Sequence, residues 1–210
     1  MRTGLIVVGA GGHAKVCIEL LRSMGEVVDY CVGDENSPTS CVGVTVLAND
    51  ENLRRLRDEG YSRAFIAIGA NSVRARLADV VVGLGYQLVN AISPRSVVSP
   101  TARLGSGVAI MAGAVINADA LVDSLAIVNT GATVDHDCRI GRAAHIAPQC
   151  GLAGNVTVGI QSFIGIGSRV IPDVSIGNNV TVGAGGVVIT DIRDDVVVVG
   201  VPARPINVKS

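Results

Sequence analysis

The C-terminal half of the chain repeats an aliphatic residue every six positions, from Val98 to Val188. Sixteen successive positions of this register hold Val, Ile or Leu, and a small or β-branched residue follows each of the first fifteen by four positions. A period of six fits neither a helix nor a flat half-buried strand. It fits a short strand followed by a corner, so that three strands close a triangular coil and about five such coils stack. The pattern therefore predicts a parallel β-helix, because the loops of a β-sandwich would interrupt the phase.

The first part of the chain follows a different pattern, in which predicted strands and helices alternate. We expect strands at residues 5–8, 27–32, 63–68 and 86–92, and helices at 13–24, 50–58 and 72–84. This alternation predicts a small α/β domain with a parallel, Rossmann-like sheet and right-handed crossovers. Ser-Pro pairs at 93–94 and 99–100 mark the join. We expect residues 1–93 to form this α/β domain and residues 94–210 to form the β-helix and a C-terminal tail.

A glycine-rich turn, Gly9-x-Gly11-x-x-Ala14, lies between the first predicted strand and helix. Such a turn lets the backbone and the helix N-terminus approach a diphosphate. Two ligands remain open: NAD, with Asp29 or Asp34 on its ribose, or the diphosphate of a nucleotide sugar. The nucleotide sugar is favoured because the domain has only half the length of a full dinucleotide fold. Asp34 has a second interpretation as a turn-forming residue.

Composition narrows the possible partners and the location. The net charge is −1 and aromatic residues are 2% of the chain, so neither a basic surface nor a stacking platform for nucleic acid is indicated. The five cysteines have no CxxC spacing and are expected to be reduced. The apolar run at residues 5–8 is too short for a signal peptide or a membrane span. We therefore expect a cytoplasmic protein that contacts neither nucleic acid nor membrane.

Three histidines offer acid–base chemistry: His13, His136 and His145. His136 lies between two aspartates at a predicted corner, and carboxylates beside an imidazole can raise its basicity and fix its tautomer, as a general base requires. His145 directly precedes an inward-facing residue, so it is expected to face out. A groove between neighbouring prisms can accommodate both histidines. The alternatives are an ordinary surface histidine, or a zinc site that needs His13 from the other domain; we expect no metal.

Six segments together resemble the sialic acid O-acetyltransferase family of hexapeptide-repeat sugar acetyltransferases. Within it, the chain is most similar to enzymes that N-acetylate nucleotide-linked 4-amino-4,6-dideoxysugars such as GDP-perosamine. The matching segments are VGAGGH at 8–13, IAIGAN at 66–71, VNT at 128–130, VDHDC at 134–138, AGNV at 153–156 and VGVPAR at 199–204. The resemblance implies a left-handed β-helix and a homotrimer with active sites at subunit interfaces. It also implies acetyl-CoA as cosubstrate and a place in surface polysaccharide or lipopolysaccharide biosynthesis.

The same resemblance implies roles for individual residues. His136 is expected to be the catalytic base and Asp137 its support, although Asp137 is one methylene shorter than the glutamate common in the family. Asp137 can orient His136 only if the corner turns both side chains the same way. The residues implied in substrate binding are Gly9, Gly11, Gly12, His13, Asp34, Asn71 and Asn129. Those implied in acetyl-CoA binding are His145, Gly154, Gly165, Ile166, Ala184 and Arg204, with Lys209 as an alternative cation for the CoA phosphates.

The expected reaction is direct attack of the sugar C4 amine on the thioester, with the Gly154 N–H at the oxyanion. Carboxylates near Asp34 favour GDP slightly over UDP, because guanine offers two adjacent N–H donors. Two other functions remain open: O-acetylation of a sugar such as sialic acid, and a metal-dependent or non-catalytic β-helix.

Overall fold

The chain, described in a computed structural model over residues 4–206, divides into two compact units between Pro94 and Arg95. The first unit is a parallel sheet with three helices. The strands of the sheet are β1 Leu5–Val8, β2 Val28–Gly33, β3 Ser40–Cys41, β4 Val44–Ala48, β5 Arg63–Ile66 and β6 Gln87–Leu88, and the short strand β7 Ala91–Ile92 lies in the same unit but outside this sheet. Its helices are α1 Gly12–Ser23, α2 Glu51–Asp58 and α3 Asn71–Gly83. The strand order β3-β4-β2-β1-β5-β6 puts the fully buried β1 near the centre.

Burial explains the arrangement of the first unit. All four residues of β1 are buried, as a strand covered on both faces of a parallel sheet requires. In α1 the buried residues Ala14, Cys17, Ile18 and Leu21 recur at three- and four-residue spacing, which gives the helix one apolar side. None of the helices within residues 4–206 has the length and apolar content that a membrane crossing requires.

Two elements of this unit differ from the sequence-based expectation. The hairpin β3–β4 was not expected, and it gives the parallel sheet an antiparallel edge. Its two-residue turn, Val42-Gly43, has positive φ at both positions, a conformation that Asn-Gly usually signals and Val-Gly does not. The prediction of a single strand at 86–92 is wrong, because this segment is interrupted. It is two short strands, β6 and β7, because the pairing to β5 stops after Val89 donates to the Ala64 carbonyl.

The second unit is a three-sided parallel β-helix of two-residue strands. Strands β8 to β23 are, in order, Val97–Val98, Arg103–Leu104, Ala109–Ile110, Val115–Ile116, Leu121–Val122, Ile127–Val128, Thr133–Val134, Arg139–Ile140, His145–Ile146, Gly151–Leu152, Thr157–Val158, Phe163–Ile164, Arg169–Val170, Ser175–Ile176, Thr181–Val182 and Val187–Val188. Each ends on a residue of the aliphatic register. An antiparallel hairpin, β24 Val197–Gly200 and β25 Ala203–Ile206, follows them.

Strand pairing confirms the eighteen-residue coil. Ile110 pairs with Val128, which pairs with Ile146, and the same spacing holds on all three faces. The fourteen register residues from Ile110 to Val188 are buried, so the predicted inward-facing column is confirmed. These side chains form the central part of the apolar core of this unit.

The corners form three edges along the prism. The first edge contains the turns at 100–101, 118–119, 136–137, 154–155 and 172–173. The second contains those at 106–107, 124–125, 142–143, 160–161 and 178–179, and the third those at 112–113, 130–131, 148–149, 166–167 and 184–185. In every turn from 106–107 to 184–185 the second residue is left-handed, with φ between 53° and 73°. That conformation explains why Gly, Asp and Asn recur at this position.

Candidate active site

His136 and Asp137 form a hydrogen-bonded pair on the first edge. The distance from His136 Nδ1 to Asp137 Oδ2 is 2.8 Å, and each side chain is 59% exposed. Adjacent residues of a strand point to opposite faces, but Asp137 is the left-handed residue of its turn, with φ of 60°. The corner therefore turns both side chains to the same side, which is the condition that the sequence left open.

The surrounding carboxylates make the imidazole more basic. The hydrogen bond that His136 Nδ1 donates to the Asp137 carboxylate raises the pKa of His136, and the negative charges of Asp135, Asp137 and Asp173 act in the same direction. Asp135 is itself held in place, because its Oδ1 accepts the His136 backbone N–H and the Asn117 side-chain amide, each at 2.8 Å. These contacts lower the pKa of Asp135. With Nδ1 bound to Asp137, His136 has Nε2 available to take a proton.

Gly154 lies one coil beyond His136 on the same edge and gives the imidazole its space. A Cβ at Gly154 would lie 2.5 Å from His136 Cε1 and 2.6 Å from Nε2. The ring therefore occupies the volume that any larger residue would fill. Within residues 4–206 the Gly154 backbone N–H has no hydrogen-bond partner, which leaves it available as a donor.

His145 corrects one expectation, because it is 8% exposed rather than open to solvent. Its side chain does leave the prism outward, but Ile127 and Phe163, its partners in the strand ladder, lie on either side of it. The Phe163 ring meets the imidazole edge-on at 5.2 Å. Asn129 Nδ2 lies 3.0 Å from His145 Nε2, and Asn129 Oδ1 accepts the Thr130 N–H. Nε2 is therefore the acceptor in this contact.

Apart from Gly154, the residues of the prism repeat that are expected to bind acetyl-CoA lie on a different part of the prism from His136 and Asp137. His136, Asp137 and Gly154 are on the first edge, whereas Asn129, Gly165, Ile166 and Ala184 are on the third, and His145 is on the adjoining β10 face. Ile166 is 51% exposed. Within one chain, Gly165, Ile166 and Ala184 therefore lie on another edge than the His136–Asp137 pair.

A cavity of about 750 Å³ lies in the first unit at the carboxyl ends of β1 and β2. Of the residues expected to bind substrate, Gly9, Gly11 and Asp34 line it, and Gly12, His13 and Asn71 do not. Gly9 has φ of 118°, and a Cβ there would lie 2.8 Å from the Ala67 carbonyl oxygen, so only glycine fits. Glu35 and Asn36, expected beside Asp34 at the base, also line it, whereas the sequence-based interpretation missed the polar residues Ser37, Asn49, Asp50 and Arg76.

The two aspartates considered for a ribose contact differ in position. Asp34 Oδ1 accepts the Asn36 N–H at 3.0 Å and the Ser37 hydroxyl at 3.1 Å, so it does form the turn, and it also lines the cavity. Asp29 lies at the start of β2, where its carboxylate occupies the space beside Gly4. It is therefore at the opposite end of the strand from the glycine-rich turn.

Arg74 is a buried cation beside the glycine-rich turn. It is 1% exposed and donates to the carbonyls of Ile68 and Gly69 and to Asn71 Oδ1, at 2.8–2.9 Å. Burial, followed by the charge of Arg74, lowers the pKa of His13 to about 4, so His13 is neutral near pH 7. Asn71, expected to bind substrate, thus orients Arg74. The sequence offered no signal that separates Arg74 and Arg76 from surface arginines.

Arg204 lines a second, smaller cavity of about 310 Å³ together with Asp191 and Arg193. Lys209 lies outside the described residues. Among residues 4–206 there is no group of three or more His, Cys, Asp or Glu side chains that could hold a metal ion. All five cysteines are buried.

Several known proteins are similar to this chain. Residues 4–81 match the family model of the PglD N-terminal domain. PerB from Caulobacter crescentus, solved in complex with CoA and GDP-perosamine, is 50% identical, with 99% of each chain covered and a TM-score of 0.96. The acetyltransferase domain of PglB from Neisseria gonorrhoeae FA1090, solved with acetyl coenzyme A, is 37% identical, with 98% of this chain and 100% of that chain covered and a TM-score of 0.91.

A curated relative, the UDP-N-acetylbacillosamine N-acetyltransferase of Bacillus subtilis (strain 168), is 39% identical over 110 residues. The chain spans about half the length of this curated relative. The similarity to the solved structures confirms the predicted fold class, a small Rossmann-like parallel sheet followed by a left-handed parallel β-helix.

Proposed function

Because the chain belongs to the hexapeptide-repeat nucleotide-sugar N-acetyltransferases, we propose that it acetylates the C4 amine of a nucleotide-linked 4-amino-4,6-dideoxysugar. Acetyl-CoA is the cosubstrate. The observation that carries the proposal is the exposed His136–Asp137 pair with Gly154 beside it, in a chain 50% identical over its length to an enzyme bound to CoA and GDP-perosamine.

The proposed reaction is direct transfer without an acyl-enzyme. The amine nitrogen attacks the thioester carbonyl, a C–N bond forms, the C–S bond breaks, and CoA leaves as the thiol. His136 Nε2 takes the proton that the amine loses and passes it to the leaving sulfur, while Asp137 holds Nδ1. The Gly154 N–H donates to the oxyanion, a contact typically worth about 3 kcal/mol.

The nucleotide is assigned to the cavity of the first unit. Gly9 and Gly11 allow close approach of the diphosphate, and Arg76 supplies a positive charge in the lining. Asp34 and Glu35 offer carboxylate acceptors, which suit the paired N1–H and N2–H donors of guanine better than the single N3–H of uracil. Together with the GDP-perosamine bound to PerB, this supports GDP over UDP.

The complete site is proposed to form in a homotrimer. In a cyclic assembly, one surface of each subunit meets a different surface of the next. Parallel prisms arranged in this way can bring the first edge of one subunit to the third edge of its neighbour, so that His136 meets acetyl-CoA held by Gly165, Ile166 and Ala184. Arg204 is proposed to bind the CoA phosphates with Arg193. We further propose that the enzyme acts in the cytoplasm and serves surface polysaccharide biosynthesis.

The proposal is tested by measuring CoA thiol release from acetyl-CoA with GDP- and UDP-linked 4-amino-4,6-dideoxysugars and with free sialic acid. Saturable release with a GDP-linked amino sugar, and a product whose acetyl group resists mild alkali as an amide does, is the expected result. Release with sialic acid alone, giving an alkali-labile ester, would replace the proposal with O-acetylation. Absence of release across the panel from folded protein contradicts acetyl transfer to these sugars.

Mixed oligomers test the interfacial site. His136→Asn and Ile166→Glu subunits are each expected to be inactive alone. Co-expressed in equal amounts, they should regain about a quarter of wild-type activity, since one site in four combines an intact first edge with an intact third edge. No recovery from mixed trimers, verified with two affinity tags, would mean that each site draws both residues from one chain.

A further inference from the structure

Four side chains at the small-residue position of the repeat each make an equivalent hydrogen bond to the backbone. Each donates to the backbone carbonyl fifteen residues further along, in the next coil. The pairs are Cys138 to Ala153 at 3.1 Å, Cys150 to Gly165 at 3.0 Å, Ser162 to Gly177 at 2.7 Å and Ser168 to Gly183 at 3.1 Å. Elsewhere in the register the same position is often alanine, as at 114, 120, 126, 132 and 144. Alanine fills the space without a donor, so the coil closes without this hydrogen bond.

The hydrogen bond of Cys138 differs from the other three in the backbone peptide unit that accepts it. Its acceptor, the Ala153 carbonyl, belongs to the same peptide unit as the Gly154 N–H. In a trans peptide the carbonyl and the N–H point in opposite directions. Cys138 is fully buried, so the carbonyl points toward the prism interior and the N–H points away from it. The exposed His136 ring lies against this same glycine.

We propose that Cys138 is a positioning residue for acetyl transfer, which fixes the Ala153–Gly154 peptide so that its N–H faces the developing oxyanion. This inference rests on the proposed function. A donor on the carbonyl also polarises the peptide and strengthens its N–H as a donor. The thiol keeps its proton for this role, because burial raises the pKa of Cys138.

The test compares Cys138→Ala and Cys138→Ser with Ser162→Ala as the matched control. Ser162→Ala removes the equivalent hydrogen bond on the second edge, whose acceptor Gly177 has no part in the proposed site. For Cys138→Ala we expect kcat to fall about 3- to 10-fold, as the loss of one aligning hydrogen bond in the transition state predicts. The KM values for both substrates and the pH profile should stay at wild type, because the His136–Asp137 pair is intact.

Cys138→Ser keeps a donor at the same position and should restore kcat. Ser162→Ala should lower Tm with wild-type kcat, which separates loss of a coil contact from loss of positioning. A kcat for Cys138→Ala that matches Ser162→Ala, or a Cys138→Ser variant as slow as Cys138→Ala, overturns the inference. If wild-type protein releases no CoA from any sugar of the panel, the proposed function itself fails, and this outcome is distinct because it precedes any comparison of variants.

Discussion

The contact between Gly154 and His136 predicts that one added methyl group abolishes most of the activity without unfolding the protein. In Gly154→Ala the new Cβ would lie 2.5 Å from Cε1 and 2.6 Å from Nε2 of the imidazole, whereas ordinary contacts begin at 3.4 Å. The ring must therefore retreat by about 0.9 Å, the difference between those distances. A misplacement of about 1 Å at a reacting group can cost about 100-fold in rate.

The stability of this variant should change little, because the obstructing group is an exposed side chain that can rotate away. Gly141→Ala provides the opposite case. Its Cβ would lie 2.8 Å from backbone atoms of Gly159 and Ile160, which cannot move independently of the coil. We expect Gly141→Ala to lower Tm by about 3–10 °C with kcat close to wild type, and Gly154→Ala to change Tm by less than about 3 °C. Gly83→Ala, in open space at the end of α3, should leave kcat at wild type and should not lower Tm, because alanine favours the helix more than glycine does.

The assay is CoA thiol release at saturating acetyl-CoA and amino sugar, with Tm measured on the same preparations. We expect kcat of Gly154→Ala to be about 100-fold below wild type. A Gly154→Ala enzyme with wild-type kcat would show that the reaction does not depend on the imidazole at this position, and the assignment of His136 as the base would be wrong. A large fall in Tm would instead show that Gly154 is needed by the coil.

Three other variants test separate parts of the structure. Asp137→Asn should lower kcat and move the acidic limb of the kcat/KM profile to lower pH, because the Asp137 hydrogen bond raises the pKa of His136; an unmoved limb contradicts the pairing. Arg74→Met should raise the pKa of His13 above its value of about 4, measured by NMR titration, and cost about 1–3 kcal/mol of stability through three lost hydrogen bonds. Arg76→Ala should raise KM for the nucleotide sugar about tenfold, as expected for a charge-assisted contact worth about 1.5 kcal/mol, with kcat unchanged; an unaltered KM places the diphosphate elsewhere.

The β-helix was predictable because its period is specific. One aliphatic residue every six positions requires corners at fixed intervals, and no helix or flat sheet satisfies that requirement. The first unit was predictable only in outline. The first position of the Val42-Gly43 turn holds valine, which does not favour positive φ. The sequence therefore contained no turn signal from which the β3–β4 hairpin could be predicted.

The site shows where sequence reasoning needed one further step. The eighteen-residue coil already implied that Ile127 and Phe163 lie beside His145, and applying it would have predicted a covered histidine. The left-handed position of each turn was also present in the sequence, as Gly, Asp or Asn three residues after most register residues. That column includes Asp137. The burial of Arg74 was not accessible, because it depends on how α3 packs in the first unit.

The geometry of the prism explains why the His136–Asp137 pair lies at a corner. Inward positions of each strand are occupied by the core, and outward positions have ladder partners on both sides, as His145 shows. A corner residue has no strand-ladder partners beside it, and the left-handed residue of the turn lets two adjacent side chains point the same way. The corner positions one coil before and after His136 are Ala118 and Gly154, which leave room for an imidazole. An exposed base of this kind therefore depends on three residues in two columns: the left-handed residue beside it, and the two small residues eighteen positions before and after it.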